Sequence, residues 1–355
     1  VRYHRVVSEA ANRRRWKATD RGVYEVWYLT WNHAATDTGY WLRHVTEVPQ
    51  PGHGGQAPAR AELWFARFDA RRPERTFGFH RRFPLSSLTA KAAPFELAID
   101  GGDSHGRLRH DGAAGALEGD GHRVRWDLRW RPSEAVLRHL PDAMYRRGGL
   151  GETTVQSPNP RVAMSGTLEI DGEQLAFAGA PLGQTHLWGK KHAYAWAWGR
   201  CAEWQGGEAA VLETLSVRLM RRGLKLPPMS LSTLVLGDET IRSVGFVRGL
   251  RNEAQWQAGS YRFTAESGDV RLEAELSGGL ERFVVAPYVD PDGQEVFCAN
   301  TEIGDARVQL WRKVGGAFRK AELLEGPRRA HFETGGRQRP PGVEKLHKTI
   351  EIGER

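Results

Sequence analysis

Along this chain hydrophobic and polar positions alternate with period two in run after run, so strands are predicted almost throughout. The first clear case is Val23–Trp31. It places Glu25, Trp27, Leu29 and Trp31 on one face and Tyr24, Val26, Tyr28 and Thr30 on the other. Both faces are apolar, which predicts a strand covered on both sides. The turn-forming run Asn32–Gly39 leads into a hairpin partner over 40–46, with Trp41, Arg43 and Val45 on one side. Glu25 and Arg43 are expected to pair across that hairpin and fix its register. Short strands follow at 61–68, 76–83, 95–99 and 122–130, and a hairpin over 161–178 turns at Asp171-Gly172.

The densest pattern is Gly183–Trp204, which holds four of the thirteen tryptophans. From His192 onward a large face of His192, Tyr194, Trp196, Trp198 and Arg200 alternates with a small one of Ala193, Ala195, Ala197, Gly199 and Cys201. The small face admits another layer at close range. The aromatic face needs apolar space, either to fill as core or to line as a cavity. His186, Trp188 and Gly189 make a His-x-Trp-Gly turn just ahead of it. Further on, the run 209–218 sets Glu213 among Val211, Leu215 and Val217, where a carboxylate is costly unless paired. More strands lie between 230 and 288. The run 295–302 aligns Val296, Cys298, Asn300 and Glu302, and strands at 306–312 and 318–324 close the set. The tail after Gly326, rich in Arg, Gly and Pro, reads as irregular surface. Helix is scarce: residues 1–20 read as a polar arm or a short helix, and 133–147 as a turn or two, interrupted at Pro141.

The fold class is therefore all-β, since no helical period alternates with strands as a parallel sheet would require. The 355 residues suit two domains. They divide near Gly179–Gly183: 1–180 with a polar N-terminal arm, and 181–355 with an irregular tail. Closing each sheet on itself would remove its exposed edges, so two lipocalin-like (calycin-like) antiparallel β-barrels are predicted.

Composition narrows the functional classes. No apolar run approaches the roughly 18–20 residues of a membrane span, and the basic first fifteen residues lack the apolar centre of a secretory signal, so a cytoplasmic location is expected. Cys201 and Cys298 are expected to be buried free thiols. The net charge is +8, yet the arginines fall in short scattered clusters and no nucleic-acid motif is present, which argues against nucleic acid as a partner. The excess charge is compatible with an acidic substrate or with peripheral association at an anionic membrane surface. A monomer or a homodimer is expected.

No phosphate loop, dinucleotide fingerprint, paired-cysteine site or nucleophile elbow occurs, so neither cofactor nor metal is expected. What remains is a set of ionisable groups among aromatic rings: His186, His192 and Arg200, Glu25 and Arg43, Glu213 and Glu302. A carboxylic acid or imidazolium among indoles can protonate an alkene or a leaving hydroxyl while the ring faces stabilise the developing cation.

These residues carry a resemblance. Tyr24–Thr30 with Gly39–Arg43, His186–Gly189, Trp196-Ala-Trp198 and Asn300-Thr-Glu302 resemble the lipocalin-related superfamily of AttH-like proteins, carotenoid hydratases and tocopherol-cyclase-like proteins. The resemblance implies two lipocalin-like domains, a ligand cavity at or between them, no cofactor, and an isoprenoid-like or polyketide-like apolar substrate. The reaction implied is acid-assisted hydration, dehydration, isomerisation or cyclisation. The expected proton-handling residues are His186, His192, Glu213, Glu302 and Glu25. The expected ligand-binding residues are Trp27, Trp41, Arg43, Trp188, Tyr194, Trp196, Trp198, Arg200 and Asn300. A non-catalytic carrier of hydrophobic ligands, or a surface on which sugars stack, would use the same rings without the acid.

Overall fold

The computed structural model describes residues 8–17, 19–52, 58–145, 152–221 and 223–353, and these are mostly antiparallel β. Among the described residues helix is limited to α1 (Ser8–Asn12), α2 (Phe246–Arg251) and isolated 3-10 turns. The first half holds β1 (Val23–His33), β2 (Thr38–Val48), β3 (Arg60–Asp69), β4 (Phe77–Pro84), β5 (Leu88–Ala92) and β6 (Phe95–Gly101). It continues with β7 (Ser104–Arg109), β8 (Gly112–Gly119), β9 (His122–Trp130), β10 (Leu137–Arg138), β11 (Thr153–Ile170) and β12 (Glu173–Gly189). The second half holds β13 (Ala195–Cys201), β14 (Ala210–Arg218), a small hairpin of β15 (Met220–Arg221) and β16 (Leu224–Lys225), β17 (Met229–Leu236) and β18 (Glu239–Ser243). After α2 come β19 (Glu253–Gln257), β20 (Ser260–Ser267), β21 (Val270–Ser277), β22 (Val284–Val289), β23 (Glu295–Val314), β24 (Ala317–Gly336) and β25 (Lys348–Ile350).

Two large sheets result. The first runs β25-β4-β3-β2-β1-β12-β11-β9-β8-β7-β6-β5, and the second β18-β17-β14-β13-β24-β23-β21-β20-β19. The expected pair of closed barrels is not what forms: the first sheet curls into a half-barrel and the second stays open. The physical reason lies in β1–β3, whose two apolar faces serve two layers. Trp27, Leu29 and Trp31 point into the half-barrel with Leu63, Phe65 and Trp126, while Tyr24, Val26, Tyr28, Trp41 and Trp64 turn outward onto the second sheet. A face-to-face contact thus covers what closure would have covered. In the second sheet the edge strand β18 is tied to β20 by side chains instead of a ladder: Ser267 Oγ donates to Arg242 O (2.6 Å) and Ser243 Oγ to Glu266 O (3.0 Å).

The small face of β13 packs as its residues require. Ala197 and Cys201 enter the second sheet's core, and a Cβ on Gly199 would stand 2.9 Å from Leu276. Both cysteines are free and buried. The chain passes from the first sheet to the second between Gly189 and Ala195, so the expected division at 180/181 falls inside β12.

Three other expectations are corrected. Glu25 lies opposite Thr46 and Arg43 opposite Tyr28, so the two charges occupy opposite faces of the hairpin and do not pair. Within 133–147 the described residues form β10 and a 3-10 turn at Asp142–Tyr145 after Pro141, while Arg146 and Arg147 lie outside the described residues. The chain after Gly326 is not irregular surface. It completes β24, crosses back to the first sheet, and adds β25 in parallel to the edge of β4.

Candidate functional site

The outward face of β1–β2 and the aromatic face of β13 do not mesh completely. They leave a cavity of about 140 Å³ between the sheets, walled by Tyr24, Tyr28, Trp41, Trp196, Trp198 and Tyr288 and continued by Leu215, Val217, Met229 and Met144. Its polar groups are few: Arg43, His192, Glu333, Thr153, and Glu152 with Lys191 at the rim. Such a space, largely apolar with a handful of placed polar groups, is what a small-molecule site looks like.

His192 sits in the loop before β13, stacked on Tyr24 (4.9 Å), Tyr288 (5.1 Å) and Trp196 (5.2 Å). Its Nδ1 bonds Asp290 Oδ1 at 2.6 Å, and Arg337 holds the other carboxylate oxygen at 3.0 Å. Burial raises the Asp290 carboxyl, but the His192 bond and Arg337 outweigh it and hold it below the usual range. Asp290 accepts the Nδ1 proton and so orients the ring, which leaves Nε2 as the nitrogen turned away from that carboxylate. Trp196 then links His192 to a second ionisable group, since its Nε1 donates to Glu333 Oε1 at 2.8 Å. Cys298 Sγ–H approaches Glu333 Oε2 at 3.4 Å.

Sequence reading missed Glu333, Asp290 and Tyr288. A signal for the first existed: Ala330-His-Phe-Glu-Thr334 alternates, with Ala330 and Phe332 in the second sheet's core and Glu333 against the cavity.

Of the expected residues, the structure brings Trp41, Arg43, His192, Trp196 and Trp198 to this cavity. Arg200, Glu213, Asn300 and Glu302 are buried together in a second group outside the cavity lining. There Arg200 Nε is 3.3 Å from Glu213 Oε1, and burial lifts the Glu213 carboxyl to about 7 against the pull of that arginine. Glu302 Oε2 is 3.1 Å from His331 Nδ1. Burial, then repulsion from Glu333, holds the Glu302 carboxyl well above the ordinary range, and burial with Arg200 and Arg329 holds His331 well below it. His331 Nε2 donates to Asn32 Oδ1 at 2.5 Å, so the neutral carboxyl of Glu302 faces a neutral imidazole.

Glu25, Trp27, His186 and Trp188 form a third group, inside the half-barrel. His186 Nδ1 donates to Ala11 O (2.7 Å), Nε2 meets Glu25 Oε1 (2.7 Å), and the ring stacks on Trp27 (4.7 Å). Arg15 lies over the Trp188 ring at 4.9 Å. These contacts tie α1 and the segment after it into the half-barrel. Tyr194 is half-buried beneath Lys225 and outside the lining. Among the described residues no group of three or more His, Cys, Asp or Glu side chains is placed to hold a metal ion.

A family model described as tocopherol cyclase-like matches residues 21–336. Among solved structures, an AttH protein from Nitrosomonas europaea is similar at 13% identity, with a TM-score of 0.55 over 89% of this chain and 93% of that one. Kievitone hydratase from Nectria haematococca is similar at 11% identity, with a TM-score of 0.51 over 89% of each chain. Among curated proteins none matches. The two structural likenesses speak to the fold.

Proposed function

The chain belongs to the tocopherol cyclase-like family, and from that premise we propose that the inter-sheet cavity is the active site of an enzyme that moves protons on an apolar small molecule. Its reactions are of the hydratase, dehydratase, isomerase or cyclase kind. One observation carries the reading: a single indole, Trp196, stacks on His192 and hydrogen-bonds Glu333, so two proton-handling groups share one aromatic wall. The acid role expected of Glu213 or Glu302 passes to Glu333, because the former two are engaged behind the wall.

In a hydration, Glu333 as the acid gives its proton to one alkene carbon, and the cation that forms on the other lies against Trp196, Trp198 and Tyr28. Water adds to that carbon as His192 Nε2 takes its proton, and the proton returns to Glu333. In a cyclisation a hydroxyl of the same molecule replaces the water. Kievitone hydratase, a similar structure, is a hydratase by name.

The test reads proton movement directly, whichever product forms. Native protein is incubated in D2O with a panel of prenylated phenols, and deuterium incorporation and any change in mass are followed. Glu333→Gln and His192→Gln should each lower incorporation by at least about 100-fold while ligand binding persists. Binding without incorporation by the native protein would instead describe a carrier, and full activity in both variants would end the acid–base assignment.

A further inference from the structure

Among the described residues four arginines are buried: Arg43, Arg60, Arg67 and Arg200. Arg60 pairs with Glu47 and Glu62, Arg67 with Asp69 and Glu173, and Arg200 with Glu213. Arg43, only 4% exposed, has no carboxylate within ion-pair distance among the described residues. Among the described residues its one hydrogen bond runs from Nη1 to the Tyr288 hydroxyl at 2.8 Å, and its Nε has no partner. Its guanidinium carbon instead lies over Trp41 (4.6 Å), Tyr288 (4.9 Å) and Trp64 (5.1 Å).

Ring faces attract a cation, but they do not neutralise it, and a guanidinium withdrawn from water without an anion is costly. The carboxyl group of the same cavity does not serve. Glu333 stands beyond ion-pair distance from Arg43 and is held by Trp196 and Cys298. Arg43 therefore brings an uncompensated charge to the wall of an otherwise apolar cavity.

We propose that Arg43, aimed by Tyr288, is the recognition point for an anionic oxygen on the ligand, a carboxylate or an acidic phenol or enol borne on a compact apolar ring system. This rests on the cavity being the ligand site and adds to it the ligand's polar end. Arg43 is then the specificity-determining residue, setting which end of the ligand faces away from Glu333. The size agrees with a single ring at the anchored end: a dry cavity of about 150 Å³ holds a benzene ring, and the space here is about 140 Å³.

The probes are benzoic acid and its neutral match benzamide, with 2-naphthoic acid and 2-naphthamide as the larger pair, titrated calorimetrically into the full chain at neutral pH. The acids should bind at least about tenfold more tightly than the amides, as expected of a charge-assisted contact at a buried arginine. Arg43→Gln should abolish that preference, so that acids and amides bind alike. Should Arg43→Gln fail to fold, Tyr288→Phe removes the hydroxyl that aims the guanidinium and should shrink the same ratio. Equal binding of acids and amides by the native protein would overturn the anion site while leaving the cavity as ligand site intact. Binding of neither class would overturn both.

Discussion

His44 is wholly buried in the half-barrel, and neither of its ring nitrogens has a hydrogen-bond partner among the described residues. Burial pushes its pKa down to about 3, so the ring is neutral in the fold. In the unfolded chain it titrates near its ordinary value of about 6.5. The depressed value means that the stability tied to the neutral ring is whole above about pH 6.5 and is lost as pH falls toward 3. Between about pH 7.5 and pH 5 the loss from this imidazole is about 2 kcal/mol. His139, also held down to about 3 by burial, acts in the same sense. His44→Leu should therefore leave stability at about pH 7.5 within about 1 kcal/mol of native, since an unsatisfied polar ring is replaced by an apolar group of similar volume. At about pH 5 it should exceed native by about 2 kcal/mol. Urea unfolding at the two pH values measures both, and an unchanged pH slope in the variant would remove His44 from the account.

On the scale of strands, β13 works through Arg200, which crosses from the second sheet to the first. Its Nη2 donates to Pro160 O at 2.6 Å while Nε faces Glu213, and a Cβ on Gly183 would stand 2.5 Å from its guanidinium carbon. Removing the cation alone strands a buried carboxyl, so Arg200→Met should cost about 3–5 kcal/mol. Adding Glu213→Leu should recover most of that loss in the same denaturation experiment. The folded Glu213 pKa of about 7 lies above its unfolded value, so its contribution is whole below about 4.5 and declines as pH rises through 7. The defect of the single variant should accordingly be larger at about pH 8 than at about pH 5. Much of this element was legible in the sequence, because period two decides that Trp196, Trp198 and Arg200 share a face. The hairpin register was not: a one-residue difference in pairing moves Arg43 to the face opposite Glu25, and that is set by turn geometry, not by composition. Glu333 was hidden for another reason. Gly326 and Pro327 look like the end of a strand, yet they form an irregularity within one, and the positive φ of Arg328 (59°) marks where β24 is redirected toward the cavity.

For the whole molecule, the return of the chain to the first sheet decides how the two sheets behave together. Past Gly336, Arg337 bonds Asp290, Val343 enters the second sheet's core, and His347 N donates to Val285 O at 2.8 Å. The His347 ring then lies between sheets, 4.5 Å from Trp64 by ring centre, with Nδ1 3.2 Å from His80 Nδ1, before β25 joins β4. One segment thus touches both cores, the inter-sheet aromatic cluster and the carboxylate that orients His192. Each large aromatic of that cluster is worth on the order of 3–5 kcal/mol against truncation to alanine, so the sheets should unfold together in a single calorimetric transition. Deleting residues 337–355 should lower the transition temperature and split it in two, because the inter-sheet cluster would be opened to water along Trp64 and His80. It should also weaken ligand binding at the cavity by more than the loss of stability explains, because Asp290 would lose Arg337 and with it part of its hold on His192. His347→Leu separates the two effects: it keeps Arg337 and the parallel strand while removing the imidazole from the cluster, so binding should survive whatever happens to the transition temperature. A truncated chain that still unfolds in one step and binds as the native chain does would mean that the face-to-face packing of β1–β3 on β13 and β22 suffices by itself, with the strap adding nothing to it.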